Sequence, residues 1–138
     1  MSPIFAKLNL STQKKILVLG QHALNAHASF QVELSRLVGI DIVDDLQAIN
    51  SIDFALIFVT QKNQIDQISP LLAKKMQGDV IVWFAYPKGS SKNYKCDFNR
   101  DNGWDVFKGL GFDTVRQIAI DADWSALRFR CNEFIGSR

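Results

Sequence analysis

The chain has 138 residues, 47% of them apolar and 11% aromatic, which is enough material for one hydrophobic core and too short for two ordinary domains. Sixteen Lys and Arg against fourteen Asp and Glu leave a net charge of +2 with no long run of either sign, which argues against a strong electrostatic footprint for nucleic acid. Two cysteines cannot build a disulfide scaffold or a four-thiolate zinc site, no stretch reaches the roughly 18 apolar residues of a membrane span, and the N-terminus lacks the apolar core of a signal peptide; the expectation is one cytoplasmic, reduced domain over residues 1–138.

Met1 to Thr12 carries Pro3 and a loose apolar set, Ile4, Phe5, Leu8 and Leu10, and reads as a short helical cover for the sheet edge. Lys15 to Gly20 is a branched run ended by glycine, the pattern of a strand buried on both faces. From Asn25 the spacing becomes helical through Phe30, Leu34, Leu37 and Val38, with Gly39 as the natural stop. Ile40 to Val43 is a second strand, interrupted by Asp44 and Asp45, and Phe54 to Val59 is a third. Gln61 to Met76 returns to helical spacing through Ile65, Ile68 and Leu72, and Pro70 is expected to kink or split that helix.

Val80 to Tyr86 is the strongest strand pattern and Pro87 stops it. Lys88 to Lys95 is polar and turn-rich, the best candidate for a mobile surface loop. Asp97 is placed to cap a helix carrying Asp101, Trp104, Val106, Phe107 and Leu110; Gly103 weakens that version, and Asn102 would cap a shorter one. Thr114 to Ile120 and Ala126 to Cys131 are strands joined by the short turn Asp121-Ala122-Asp123, hence antiparallel. Leu127, Phe129 and Cys131 share one face of the last strand, and Ala126, Arg128 and Arg130 the other. The predicted fold is α/β: a single three-layer domain with a mostly parallel Rossmann-like sheet and a C-terminal antiparallel hairpin.

Ligands of such sheets bind beyond the carboxyl ends of the strands, which directs attention to Gly20–Asn25, Asp44-Asp45, Thr60–Asn63 and Pro87–Asn93. The first of these reads Gly20-Gln21-His22-Ala23-Leu24-Asn25; with one glycine, it lacks a dinucleotide fingerprint. His22 and His27, the only histidines, lie five apart and do not share a helical face as a metal pair would. His22 alone is a candidate general base with no neighbouring nucleophile or carboxylate to orient it. Lys88, Ser90 and Ser91 are candidates to cradle a phosphate or carboxylate, against the alternative of a solvated loop, and no local His or Asp would activate Ser90 as a nucleophile. Asp97 is either a helix cap or an acid, and Trp124 either a core anchor of its turn or a stacking surface. Arg128, a guanidinium in a strand, requires an acid, an anionic ligand or water; Asp121 and Asp123 are the expected partners.

Trp83 through Pro87-Lys88, Ser90-Ser91, Asp97 to Asp101 and above all Asp121 to Phe129 resemble the DUF3052-like family of small uncharacterised bacterial proteins, with Lys15 to Gly20 matching its first strand and Phe54 to Val59 its central strand. That family is similar to a reduced class I methyltransferase fold with an antiparallel final hairpin. The resemblance implies that Gly20 stands where an S-adenosylmethionine loop begins and Asp44 where an acid would grip the ribose; it supplies no activity, and the further glycines of such a loop are missing. No cofactor is expected, conventional use of S-adenosylmethionine included.

Three function classes follow. The first is a non-catalytic binding or regulatory module, whose partner is a protein or a small anionic ligand. The second is an enzyme or anion-binding protein of methyltransferase ancestry, using Lys88, Ser90, Ser91, Asp97, Arg100, Trp124 and Arg128. The third is a weak single-stranded nucleic-acid binder, using Lys88, Lys92, Lys95 and Arg100 with Tyr94 as a stacking ring.

Overall fold

The apolar runs become a six-stranded sheet in the computed structural model, which describes residues 3–20, 28–92 and 94–135. The strands are β1 (Lys15–Leu19), β2 (Asp41–Val43), β3 (Ile52–Phe58), β4 (Met76–Pro87), β5 (Phe112–Ala119) and β6 (Trp124–Cys131), and the helices are α1 (Pro3–Lys7), α2 (Ala28–Ser35), α3 (Lys62–Ala73) and α4 (Asp105–Gly109). Spatial order is β2-β1-β3-β4-β6-β5. The first four strands are parallel, and β6 runs antiparallel to both β4 and β5. Gln21 to His27 lie outside the described residues, as do Asn93 and the side chain of Phe30.

Both faces of the central strands are dry, which is why those strands are unbroken apolar runs. One face sends Leu17, Ile57, Val82, Phe84, Leu127 and Phe129 against Ile65 and Leu72 of α3 and Phe107 of α4. The opposite face sends Ile16, Val18, Phe54, Leu56, Trp83 and Ala126 against Phe5, Leu8 and Leu34. The N-terminal cover is fastened as well as packed, since the Trp83 Nε1–H donates to the Leu8 carbonyl at 2.8 Å. The side-chain alternation expected of the last strand is present, with Leu127 and Phe129 on one face and Ala126 on the other.

Three local expectations need correction. Pro70 sits inside an unbroken α3. It falls in the last turn on the exposed side, where the lost bond to the Asp66 carbonyl is isolated, while buried Ile65, Ser69 and Leu72 hold the helix down. The helix after Asp97 is only five residues long and is capped by neither Asp97 nor Asn102. Gly103 takes φ +99, and a Cβ on it would lie 2.6 Å from the Phe98 Cβ, so the chain turns there and helical geometry starts only at Asp105. Val38 is 89% exposed, because α2 stops at Ser35 and leaves it in the connection.

Candidate functional site

At the carboxyl ends of the strands the polar groups are largely turned onto one another. Gly20 follows β1 with φ +85, and a Cβ on it would lie 2.3 Å from the Phe58 carbonyl oxygen of β3. The missing side chain is therefore required by the approach of two neighbouring strands. Asp45 Oδ1 accepts from the Gln47 amide at 3.0 Å and caps the 3-10 turn Leu46–Ala48, whereas Asp44 is exposed beside it. After β3, Gln64 Oε1 accepts from the amides of Thr60 and Gln61 at 2.8 and 3.1 Å, closing the start of α3.

Asp97 caps a helix, but not its own. Its Oδ1 accepts from the Lys62 amide at 2.7 Å, supplying a carboxylate to the N-terminus of α3 from across the loop. Lys62 Nζ in turn bridges Asp66 at 2.8 Å and Asp105 at 3.3 Å, linking α3 to α4. These bonds raise the pKa of Lys62 above its ordinary value, led by the hydrogen bond to Asp66.

The segment after β4 is clipped to the β5–β6 turn rather than loose. The Lys88 amide donates to the Asp123 carbonyl at 2.8 Å, and the Ser91 hydroxyl donates to Asp123 Oδ1 at 2.8 Å. Ser91 Oγ also accepts from the Tyr94 amide at 3.1 Å. Asp121 Oδ1 accepts from the amides of Asp123 and Trp124, so both acids of the turn are engaged locally. Trp124 is fully buried as an anchor, with Phe58 and Tyr94 rings at 5.4 and 5.1 Å. Tyr94 is thereby half-buried against Trp124, which removes one face of the ring proposed for base stacking.

Of the sequence candidates, Lys88, Ser91 and Trp124 meet around the turn, with Ser90 exposed at the tip and Asp97 committed to α3. Arg100 lies past Asn99, whose carbonyl accepts from Trp104 Nε1 at 2.9 Å, and faces a different cleft. Arg128 is elsewhere again and does not pair with Asp121 or Asp123. Four residues of extended chain carry it about 13 Å down the strand from Trp124. Its Nη1 donates to Asn9 Oδ1 at 3.2 Å, while the buried Nε has no partner. Burial, then the neighbouring Arg130, push its pKa below the ordinary value, and Asp79 offsets part of this. Asp79 itself holds Arg130 through both carboxylate oxygens, a pair that no local pattern announced because 51 residues separate its members. With an orphaned nitrogen and one neutral partner, Arg128→Met is expected to be neutral or stabilising by up to about 1 kcal/mol in urea denaturation.

Cys96 is an unpromising nucleophile, since its thiol donates to the Phe98 carbonyl at 3.0 Å and burial pushes its pKa up. Among the described residues no group of three or more His, Cys, Asp or Glu side chains is arranged to hold a metal. No helix among them is long and apolar enough to cross a membrane.

The sheet order and its terminal hairpin define a class: the methyltransferase-like α/β fold. The chain is similar to a SAM-dependent methyltransferase from Aquifex aeolicus, with TM-score 0.62 and 8% identity over 93% of this chain and 87% of that one. It is also similar to the ribosomal protein L11 methylase of Lactobacillus delbrueckii subsp. bulgaricus, with TM-score 0.57 and 12% identity over 93% and 76%. The fibrillarin pre-rRNA processing protein of Methanococcus jannaschii gives TM-score 0.55 and 13% identity over 96% and 70%. At such identities the shared property is the fold. No family model matches the chain and no curated protein matches it, so the resemblance to the DUF3052-like family gains no support from those comparisons.

An S-adenosylmethionine cradle in this fold would draw on the ends of β1, β2 and β3. The groups described there do not fit it: Gly20 is filled by the Phe58 carbonyl, the Asp45 carboxylate by Gln47, and the Thr60 amide by Gln64. Asp44 is exposed beside them.

Proposed function

We propose that this chain is a small-molecule-binding domain of methyltransferase ancestry, one that does not take S-adenosylmethionine as a conventional methyltransferase does. The observation that carries the reading is the contact at Gly20. In a cofactor loop a glycine lets backbone approach the ligand, whereas here the space that its side chain would fill is occupied by β3. The capping of α3 by Gln64 and Asp97 supports it, because the amides that would otherwise greet an anionic ligand are already bonded. Lys88 and Ser90 are the groups proposed to meet a ligand at this edge, and Lys92, Lys95 and Arg100 make nucleic acid the lesser reading.

Calorimetric titration with S-adenosylmethionine and S-adenosylhomocysteine tests the proposal. No saturable heat is expected below about 1 mM ligand, equivalent to less than roughly 4 kcal/mol of binding free energy. A micromolar one-to-one isotherm abolished by Asp44→Ala would overturn it.

A further inference from the structure

Away from the carboxyl edge, a concavity of about 300 Å³ opens beside the free edge of the sheet, between the Asn99–Asn102 turn, α4 and β5. Arg100 and Lys108 line it against a single acid, Asp101, and Thr114 and Gln117 contribute neutral polar side chains, whereas Arg116 borders it from a position opposite Arg128, on the other face of the sheet from Gln117. Among the described residues Arg100 and Arg116 have no carboxylate partner, and Lys108 reaches Asp113 only at 4.0 Å. Two cations and one acid thus face one small cavity, whereas the cavity near Lys14 and Lys15 balances its charge with Asp53 and Asp79.

The surroundings give this cleft a defined shape. β5 is bulged between Thr114 and Arg116, where two residues stand opposite one on β6, and as the outermost strand it keeps a row of backbone groups unpaired by any other strand. Gln117 Nε2 donates to the Tyr86 hydroxyl at 2.8 Å, which fixes that wall. The Trp104 bond to the Asn99 carbonyl holds the residue before Arg100. A guanidinium and an ammonium across a polar cavity suit a phosphate group, which accepts a bidentate Arg fork and a point charge together. A volume near 300 Å³ is at the small end for ligand sites and suits a phosphate on a compact body.

We infer that the Arg100–Lys108 cleft is a binding site for a small phosphate-bearing molecule. The inference specifies a ligand for the binding domain proposed above and rests on that reading. Both fail separately, because cofactor binding is read in its own titration and responds to Asp44, which lies at the other end of the sheet order, beside β2.

The test is a titration of the full chain at low ionic strength with inorganic pyrophosphate and with glycerol 3-phosphate, following heat and the amide resonances of Thr114 to Gln117. Sodium chloride at matched ionic strength is the control. Saturable one-to-one binding is expected, with dissociation constants on the order of 0.1 to 1 mM for such exposed cations. Arg100→Ala and Lys108→Ala should each weaken it about tenfold, the loss of one charge-assisted bond. Arg100→Lys should recover only part, since the fork is lost, and Lys74→Ala, on the exposed end of α3, should change nothing. Absence of saturation in the natural chain, equal resonance shifts with chloride, or a Lys74→Ala loss matching that of Arg100→Ala would each overturn the assignment.

Discussion

Gly20→Ala is expected to lower stability by about 3 to 5 kcal/mol, the combined cost of a left-handed residue with a Cβ and of displacing packed backbone. The added atom would sit 2.3 Å from the Phe58 carbonyl oxygen, and a main-chain group in a central strand cannot swing aside as a side chain would. β1 and β3 would have to separate, and the Leu17, Val18 and Leu19 pairing with β3 lies directly below. Gly39→Ala is the matched control: φ +75 is equally left-handed, but nothing lies within 4 Å, so about 1 kcal/mol should be lost. Thermal melts would separate them, with the Gly20 variant lower by about 10 °C or more. Equal losses would show that β1 and β3 tolerate a wider approach, and that Gly20 is kept for another reason.

Trp104→Ala is expected to cost a similar 3 to 5 kcal/mol, for a different cause. The ring is 1% exposed and sits among Phe84, Tyr86, Phe98 and Phe129, with centroid distances of 5.4, 5.8, 5.2 and 5.2 Å. Truncation would open a cavity between β4, β6 and the loop that no flexible neighbour can refill. Trp104→Phe separates the two contributions of the indole. It keeps most of the apolar volume and should lose about 1 to 2 kcal/mol, but it removes the donor to the Asn99 carbonyl. Denaturant titration of both variants would read these values; a loss below 1 kcal/mol in the alanine variant would show that the aromatic cluster closes over the gap.

The strands were legible because burial on both faces writes itself into consecutive residues, as in Phe54 to Val59 and Val80 to Tyr86. The hairpin was legible from a short polar turn followed by the alternation of Leu127 and Phe129 with Ala126 and Arg128. What escaped depends on contacts distant in sequence. The late start of α4 follows from Gly103 meeting Phe98, and the anchoring of Ser91 from an aspartate 32 positions away. Arg128 was rightly singled out as a charge in an apolar setting, but its partner is Asn9 across 119 positions, which strand periodicity cannot reveal. Lys108 drew no attention because a cation on a short helix looks like ordinary surface until the fold brings it to one cleft with Arg100.

The Asp97 carboxylate on the Lys62 amide has a consequence for the order in which the chain can assemble. A helix whose first-turn acceptor lies a few residues upstream completes its own end as it nucleates. Here one acceptor arrives 35 residues downstream, after β4 has been laid beside β3 and the chain has come back over it. The first turn of α3 therefore closes the Thr60 and Gln61 amides through its own Gln64 but waits for the sheet before the Lys62 amide is capped, and Ile65 and Leu72 are buried only once that sheet is in place. Any opening that lifts residues 97–104 from the sheet must also release the front of α3, so the two rise and settle as one cooperative unit.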